Sequence, residues 1–277
     1  MLKPSPVKMK TSTANLFLTN EPRYVQMTTE YNRIADIKRL QFITDTLTKR
    51  LPAGATVLDV GCGNGIISRG IGRSGFKVYG IDISEKAIEK ARSLTTLPNV
   101  TFDNISAEQL VADGKKYDAV ICSEVLEHLN QPEKLLHTLY QSLSDNGILI
   151  VTVPNGKGPR EVLVTKPVIS MQQKNNWAWH TLLKAKKVLG YSGTTVQSDA
   201  DNLTHVQFFT KESLSQLAAR NKFKITKFGV TNFIDDVFPF SLLTKRLKVL
   251  QKADAALADM LPHHFAGSFV TVWEKQN

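Results

Sequence analysis

The chain has 277 residues, a formal net charge of +10, 42% apolar residues and 22% charged residues. These proportions exclude wholesale disorder and collagen-like structure, and the length suffices for an α/β core that needs no covalent staples. No apolar run approaches the roughly 18 residues of a transmembrane helix, and the N-terminus lacks the apolar block of a secretory signal. Two cysteines, Cys62 and Cys122, argue against a disulfide framework or a cysteine-rich zinc module and predict a reducing, cytoplasmic setting. The positive balance suits an anionic partner such as nucleic acid, a membrane surface or a phosphorylated substrate, or simply a soluble basic surface.

Residues 1–23 read as a polar arm. From 24 to 50 the pattern becomes helical, with Ile34, Ile37, Leu40, Ile43 and Leu47 on one stripe. Short apolar runs then alternate with helical stretches. Strands are predicted at 56–60, 77–82, 100–102, 117–122 and 147–153. Helices are predicted at 65–74, at 85–94 behind a Ser84 cap, and at 132–143 with Pro132 in the first turn. This alternation predicts a doubly wound, mostly parallel sheet covered on both faces. It stops at Pro154.

Residues 155–207 form a basic insertion in which seven Lys/Arg between Asn155 and Tyr191 face one acid, Glu161. Thr210 caps a further helix to Arg220, a strand covers 224–230, and a second, partly helical insertion spans 233–267. Residues 268–273 close the sheet. The organisation expected is an arm (1–23), a cofactor-binding core (24–154), an insertion (155–207) and the end of the sheet (208–277).

The strongest chemical signal is Val57-Leu58-Asp59-Val60-Gly61-Cys62-Gly63-Asn64-Gly65, at a strand end and opening a helix. Glycines there let backbone approach a ligand, and the helix start adds unpaired N–H groups. A dinucleotide loop reads G-x-G-x-x-G, whereas this one reads G-x-G-x-G. With the preceding V-L-D it resembles motif I of the class I S-adenosylmethionine-dependent methyltransferases. The resemblance implies a seven-stranded Rossmann-like fold, S-adenosylmethionine as cofactor, and contacts from Asp59, Gly61, Cys62, Gly63 and Gly65. Asp82, about twenty residues on, would take the ribose hydroxyls, and Ile83 would lie against the adenine. Where the family usually has Asp before Ala-Glu, this chain has Ser106, followed by Ala107. Serine there leaves the adenine amino group to a hydroxyl or a backbone carbonyl.

The segment Ser123-Glu124-Val125-Leu126-Glu127-His128 resembles the E-V-L-E-H run of the ubiquinone-biosynthesis O-methyltransferase branch. Ser123 would touch the cofactor. His128 or Glu127 could deprotonate an acceptor hydroxyl, or both could only hold the loop. Glu124, Glu127 and His128 could also help to ligate a metal, but the sequence assigns none. Arg39, in a stretch similar to R-L-x-Y-I of that branch, would reach the cofactor carboxylate. His205, in H-x-x-x-F-T, resembles a histidine that small-molecule and sugar methyltransferases direct toward the acceptor. It could equally pack the helix entrance.

The expected function is therefore methyl transfer to a small-molecule, lipid-like or saccharide hydroxyl, and the positive charge would suit an anionic acceptor. The insertions 155–207 and 233–267 would form a lid, with Trp177, Trp179, His180, Lys184 and Lys187 inside the first. The alternatives are an RNA-directed methyltransferase, disfavoured by the lack of an N/D-P-P-Y/F motif, and a nicotinamide-dependent oxidoreductase, disfavoured by the glycine spacing. Peripheral membrane contact stays open as well.

Overall fold

The computed structural model describes residues 30–111, 114–174, 205–237, 240–244 and 246–276. The 1–23 arm and Trp177, Trp179, His180, Lys184 and Lys187 lie outside them. In chain order the elements are α1 (Ile34–Arg50), β1 (Thr56–Val60), α2 (Ile66–Arg73), β2 (Lys77–Ile81), α3 (Glu85–Ser93), β3 (Val100–Asp103), α4 (Ala107–Val111), β4 (Tyr117–Ser123), α5 (Pro132–Ser142) and β5 (Leu143–Pro154). Then come α6 (Lys166–Lys174), α7 (Lys211–Arg220), β6 (Phe223–Val230), α8 (Phe240–Thr244), α9 (Lys248–Met260) and β7 (Ser268–Lys275).

Glu30 is helical, residues 31–33 leave helical geometry, and α1 then runs from Ile34; residues 24–29 of the predicted helix lie outside the described residues. Its predicted stripe is the buried one: Ile37, Leu40, Ile43 and Leu47 are all buried. Both expected caps form. Ser84 Oγ accepts the Ala87 N–H, and Thr210 and Ser213 exchange side-chain and backbone bonds in a capping box.

The seven strands lie in the order β3-β2-β1-β4-β5-β7-β6. Strands β1 to β5 pair in parallel, while β7 runs antiparallel between β5 and β6. Alternation along each central strand supplies two cores. Val120, Cys122, Leu149 and Val151 face one helical layer, and Ala119, Ile121, Ile148 and Ile150 face the other. Strand order reverses between β1 and β4, so their carboxyl ends open a crevice where ligands bind in folds of this type. No described helix is long and apolar enough to cross a membrane.

Candidate active site

The glycine loop leaves the carboxyl end of β1. Gly61 and Cys62 both donate N–H groups to the Ile81 carbonyl, at 2.9 and 3.0 Å, which ties the loop to β2. Gly61, Gly63 and Gly65 all have positive φ, at 68°, 54° and 78°. A Cβ on Gly61 would stand 2.5 Å from Val125 Cγ2, and one on Gly65 would stand 2.5 Å from Phe102 Cζ. Both positions therefore need glycine for space as well as for conformation. Below the loop, buried Arg69 donates to the Asn64 carbonyl at 2.7 Å and is anchored by Glu30. Helix α2 starts at Ile66 behind Gly65, which provides no side-chain cap, so its first amides face the loop.

Asp82 follows β2. Its Oδ2 accepts the Gly63 N–H at 2.9 Å and its Oδ1 accepts the Ser84 N–H at 2.8 Å, which fixes the carboxylate beside the loop. Each oxygen keeps a second lone pair for a ligand hydroxyl. Ile83 is 81% exposed, an apolar side chain held open beside the crevice. Ser106 opens α4, giving its N–H to Gln109 Oε1 at 2.7 Å, with buried Ala107 next to it.

Asp59 sits deeper than these residues. It is 1% exposed, and Ser68 Oγ donates to its Oδ2. Burial pushes its pKa up to about 7, with the nearby Asp82 charge adding to the rise. Cys62 and Cys122 are free and buried, and burial raises both thiols.

A second group of residues gathers at the end of β4. Ser123 Oγ and Thr152 Oγ1 lie 2.8 Å apart, and Thr152 Oγ1 donates to Glu124 Oε1 at 2.9 Å. Glu124 adopts φ of 58°, a conformation that non-glycine residues seldom hold. Arg39, buried on α1, reaches this strand end, with Nη2 3.7 Å from Glu124 Oε2 and 3.6 Å from Asp36 Oδ1. Burial opposes its charge, but Glu124 and Asp36 outweigh that cost and raise its pKa.

Beyond Glu124 the chain makes one 3-10 turn, Leu126–His128. The Glu127 carbonyl accepts the N–H groups of Val206 and Gln207, at 2.9 and 3.0 Å. Those two bonds bring His205 to His128, with ring centroids 5.2 Å apart. His205 Nδ1 lies 3.2 Å from Oε1 of Glu161, and His128 Nε2 lies 3.8 Å from Oε1 of Glu127. Glu127 and Glu161 are each 1% exposed. Burial pushes the Glu127 carboxyl well above the carboxylate range, and Glu124 and Glu161 push the same way while Arg39 opposes them. Glu127, His128 and His205 can place one ligand atom each within 4.8 Å of one another, a spacing that suits a divalent cation.

The residues predicted separately thus fall into two groups. Gly61, Gly63, Gly65, Asp82 and Ile83 surround one end of the crevice. Arg39, Ser123, Glu127, His128 and His205 surround the next strand end. Glu161 is the member that sequence reasoning missed. Its one signal is that it is the lone acid in the basic 155–191 stretch. It lies on a π-helical turn, Glu161–Thr165, an element frequent at functional sites. A groove of about 520 Å³, lined by Asn155, Lys157, Lys211, His263 and His264 among others, shares no residue with either group.

A family model described as "Methyltransferase domain" matches residues 31–227. A ubiquinone biosynthesis O-methyltransferase of Alkalilimnicola ehrlichii is 30% identical over 142 residues, 49% of this chain and 57% of the relative. One from Caulobacter vibrioides is 38% identical over 105 residues, 37% of this chain and 42% of the relative. The chain spans about half the length of these relatives. Among solved structures, magnesium protoporphyrin IX methyltransferase from Synechocystis PCC 6803 with bound SAH matches with a TM-score of 0.53 and 19% identity, covering 94% of this chain and 95% of that one. A SAM dependent methyltransferase from Archaeoglobus fulgidus matches with a TM-score of 0.52 and 15% identity, covering 85% and 94%. At these identities the likeness is one of fold.

Proposed function

The chain belongs to the methyltransferase domain family, and from that premise we propose that it methylates a hydroxyl of a small-molecule, lipid-like or saccharide acceptor with S-adenosylmethionine. The observation that carries this reading is the convergence of His128 and His205 beside the cofactor-side strand ends, with a buried carboxylate against His205. The matched relatives act in ubiquinone biosynthesis as O-methyltransferases, which favours oxygen over nitrogen and a lipid-like acceptor.

The residues at the first strand ends fit this cofactor. The glycine loop gives backbone approach that any Cβ at Gly61 or Gly65 would block. Asp82 offers its carboxylate to the ribose, Ile83 offers an apolar face to the adenine, and Ser106 and Ala107 border the same edge. Arg39 and Ser123 serve the amino-acid portion, with Arg39 held ready by Glu124. The cofactor supplies an activated methyl group. The protein aligns the acceptor, excludes water and removes a proton. His205 takes that proton, oriented by Glu161 on its other face, and His128 with Glu127 walls the acceptor pocket.

The two insertions serve as the lid. Their described parts meet: Arg160 Nη1 lies 3.3 Å from Asp236 Oδ2, and Asn155 Nδ2 donates to the His264 and Ala266 carbonyls at 3.0 and 2.8 Å. Asp254 of α9 accepts the Phe233 and Ile234 N–H groups, and Lys38 of α1 bonds Ala255 and Asp259. The second insertion is thereby tied to the helix that carries Arg39.

A second reading rests on the 4.8 Å grouping of Glu127, His128 and His205. In it these three side chains would hold a divalent cation, which would supply Lewis-acid polarisation of an acceptor hydroxyl. A screen of hydroxylated aromatic, lipid and saccharide acceptors with methyl-labelled cofactor tests the function. Labelled product from one class supports it. Tighter calorimetric binding of NAD than of S-adenosylmethionine, or methylated RNA as the only product, overturns it.

A further inference from the structure

Helix α9 is amphipathic in the reverse sense. Its buried face carries Gln251 and Asp254 beside Ala255 and Ala258. Those two polar side chains act as anchors: Gln251 accepts the Ile34 N–H and donates to the Thr244 carbonyl, while Asp254 accepts two backbone amides. The outward face carries Val249, Ala253, Ala256 and Met260 at helical spacings of four, three and four, flanked by Leu250 and Leu257. Val249 is 77% exposed and Met260 is 83% exposed. Leu242, Leu243 and Leu247 continue the exposure into the preceding turn. Of the fourteen large apolar side chains exposed among the described residues, nine fall between 240 and 265. Such concentration marks an interaction surface rather than scattered exposure.

Charge selects the occupant. Between 240 and 265 the sequence has four cations, Lys245, Arg246, Lys248 and Lys252, and two acids, Asp254 and Asp259. Both acids are engaged: Asp254 faces inward on backbone amides, and Asp259 accepts from Lys38 Nζ at 2.7 Å. Arg246, Lys248 and Lys252 are exposed beside the apolar stripe. An exposed apolar face bordered by cations is the pattern of a helix that lies in a bilayer interface over anionic headgroups. We propose that α8 and α9 dock this protein onto an anionic lipid bilayer, with Val249, Leu250, Leu257 and Met260 entering the headgroup–acyl boundary and Arg246, Lys248 and Lys252 meeting lipid phosphates. The proposal goes beyond methyl transfer and does not depend on it.

The test is co-sedimentation of the full chain with phosphatidylcholine vesicles, with and without about 30 mole per cent phosphatidylglycerol, enough for a negative surface potential. Binding is expected to the anionic vesicles and to weaken with salt. The double variant Val249→Ser, Met260→Ser should weaken binding by about tenfold or more, since both side chains enter the interface. Lys248→Glu should weaken it by about fivefold and flatten the salt dependence. All three positions changed by these variants lie outside the residues assigned to the cofactor, so circular dichroism and cofactor binding should stay unchanged. Equal sedimentation with neutral and anionic vesicles, no sedimentation with either, or binding that both variants leave intact overturns the proposal. A dimer in sedimentation equilibrium that Val249→Ser, Met260→Ser converts to monomer also overturns it, because a second copy would then be the occupant.

Discussion

Glu161 Oε1 lies 3.2 Å from Nδ1 of His205, although the two residues stand near opposite ends of the 155–207 insertion. A carboxylate at Nδ1 orients the ring and leaves Nε2 to act on a substrate. His205→Ala should therefore lower kcat by about 10²–10⁴, the usual range for general acid–base groups. Glu161→Gln keeps the shape and removes the charge, and should lower kcat by about tenfold with the KM for cofactor unchanged. Steady-state kinetics of both variants checks this. A raised cofactor KM with unchanged kcat would assign the pair to binding instead.

Asp82 bridges the Gly63 and Ser84 amides and faces the crevice. Asp82→Ala should weaken S-adenosylmethionine binding by about tenfold or more, from loss of a charged hydrogen bond of roughly 1.5–3 kcal/mol. Calorimetry gives the answer, with thermal unfolding as the control for foldedness. An unchanged Kd would remove Asp82 from the site.

Gly61→Ala faces two penalties, a φ of 68° and a Cβ 2.5 Å from Val125 Cγ2. The left-handed conformation alone costs about 1–2 kcal/mol. The variant should lose both thermal stability and cofactor affinity. Adding Val125→Ala should restore part of the loss by opening the space, while the backbone cost persists. Additive losses in the double variant would show that Val125 is not the obstacle.

Burial places the Asp59 carboxyl at about 7, above its ordinary value of 3.8. The folded chain therefore holds this proton more tightly than the unfolded chain. Its stabilising contribution is full below about pH 4 and is lost as pH rises through about 7. Asp59→Asn stays uncharged and can still accept from Ser68. Melting temperatures of the ligand-free protein between pH 4 and 8 should fall less steeply in the variant. Parallel curves would contradict the buried, protonated carboxyl.

Chelation separates the two readings of the histidine cluster. With His205 as base, turnover survives dialysis against EDTA. With a cation on Glu127, His128 and His205, turnover falls to background and returns with Mg²⁺ or Zn²⁺. In that second case His128→Ala should raise the cation concentration needed for half-maximal rate.

Much of this protein was legible in its sequence, wherever the physics is local. Alternating apolar runs predicted β1 to β5, because a strand buried on both faces needs apolar residues whatever its neighbours are. Ser84 and Thr210 announced helix starts, since a cap acts within three residues. The glycine loop was readable because positive φ and a missing Cβ are properties of single residues. The placement of Asp82 beside that loop followed from a strand end at a fixed distance.

Tertiary structure decided the rest, because those features depend on residues that meet only after folding. Insertion of β7 between β5 and β6 comes from antiparallel pairing across the whole chain. The depth of Asp59 depends on Ser68 and the layers around it, and its proton follows from that depth. The reversed face of α9 depends on where Ile34, Phe233 and Ile234 present unpaired amides to Gln251 and Asp254. His128, Glu161 and His205 converge through backbone bonds from Val206 and Gln207 to Glu127, and no spacing within one segment encodes such a meeting. Local conformational preference thus specified the elements and the glycine loop, while long-range burial and hydrogen bonding selected which ionisable groups face one another.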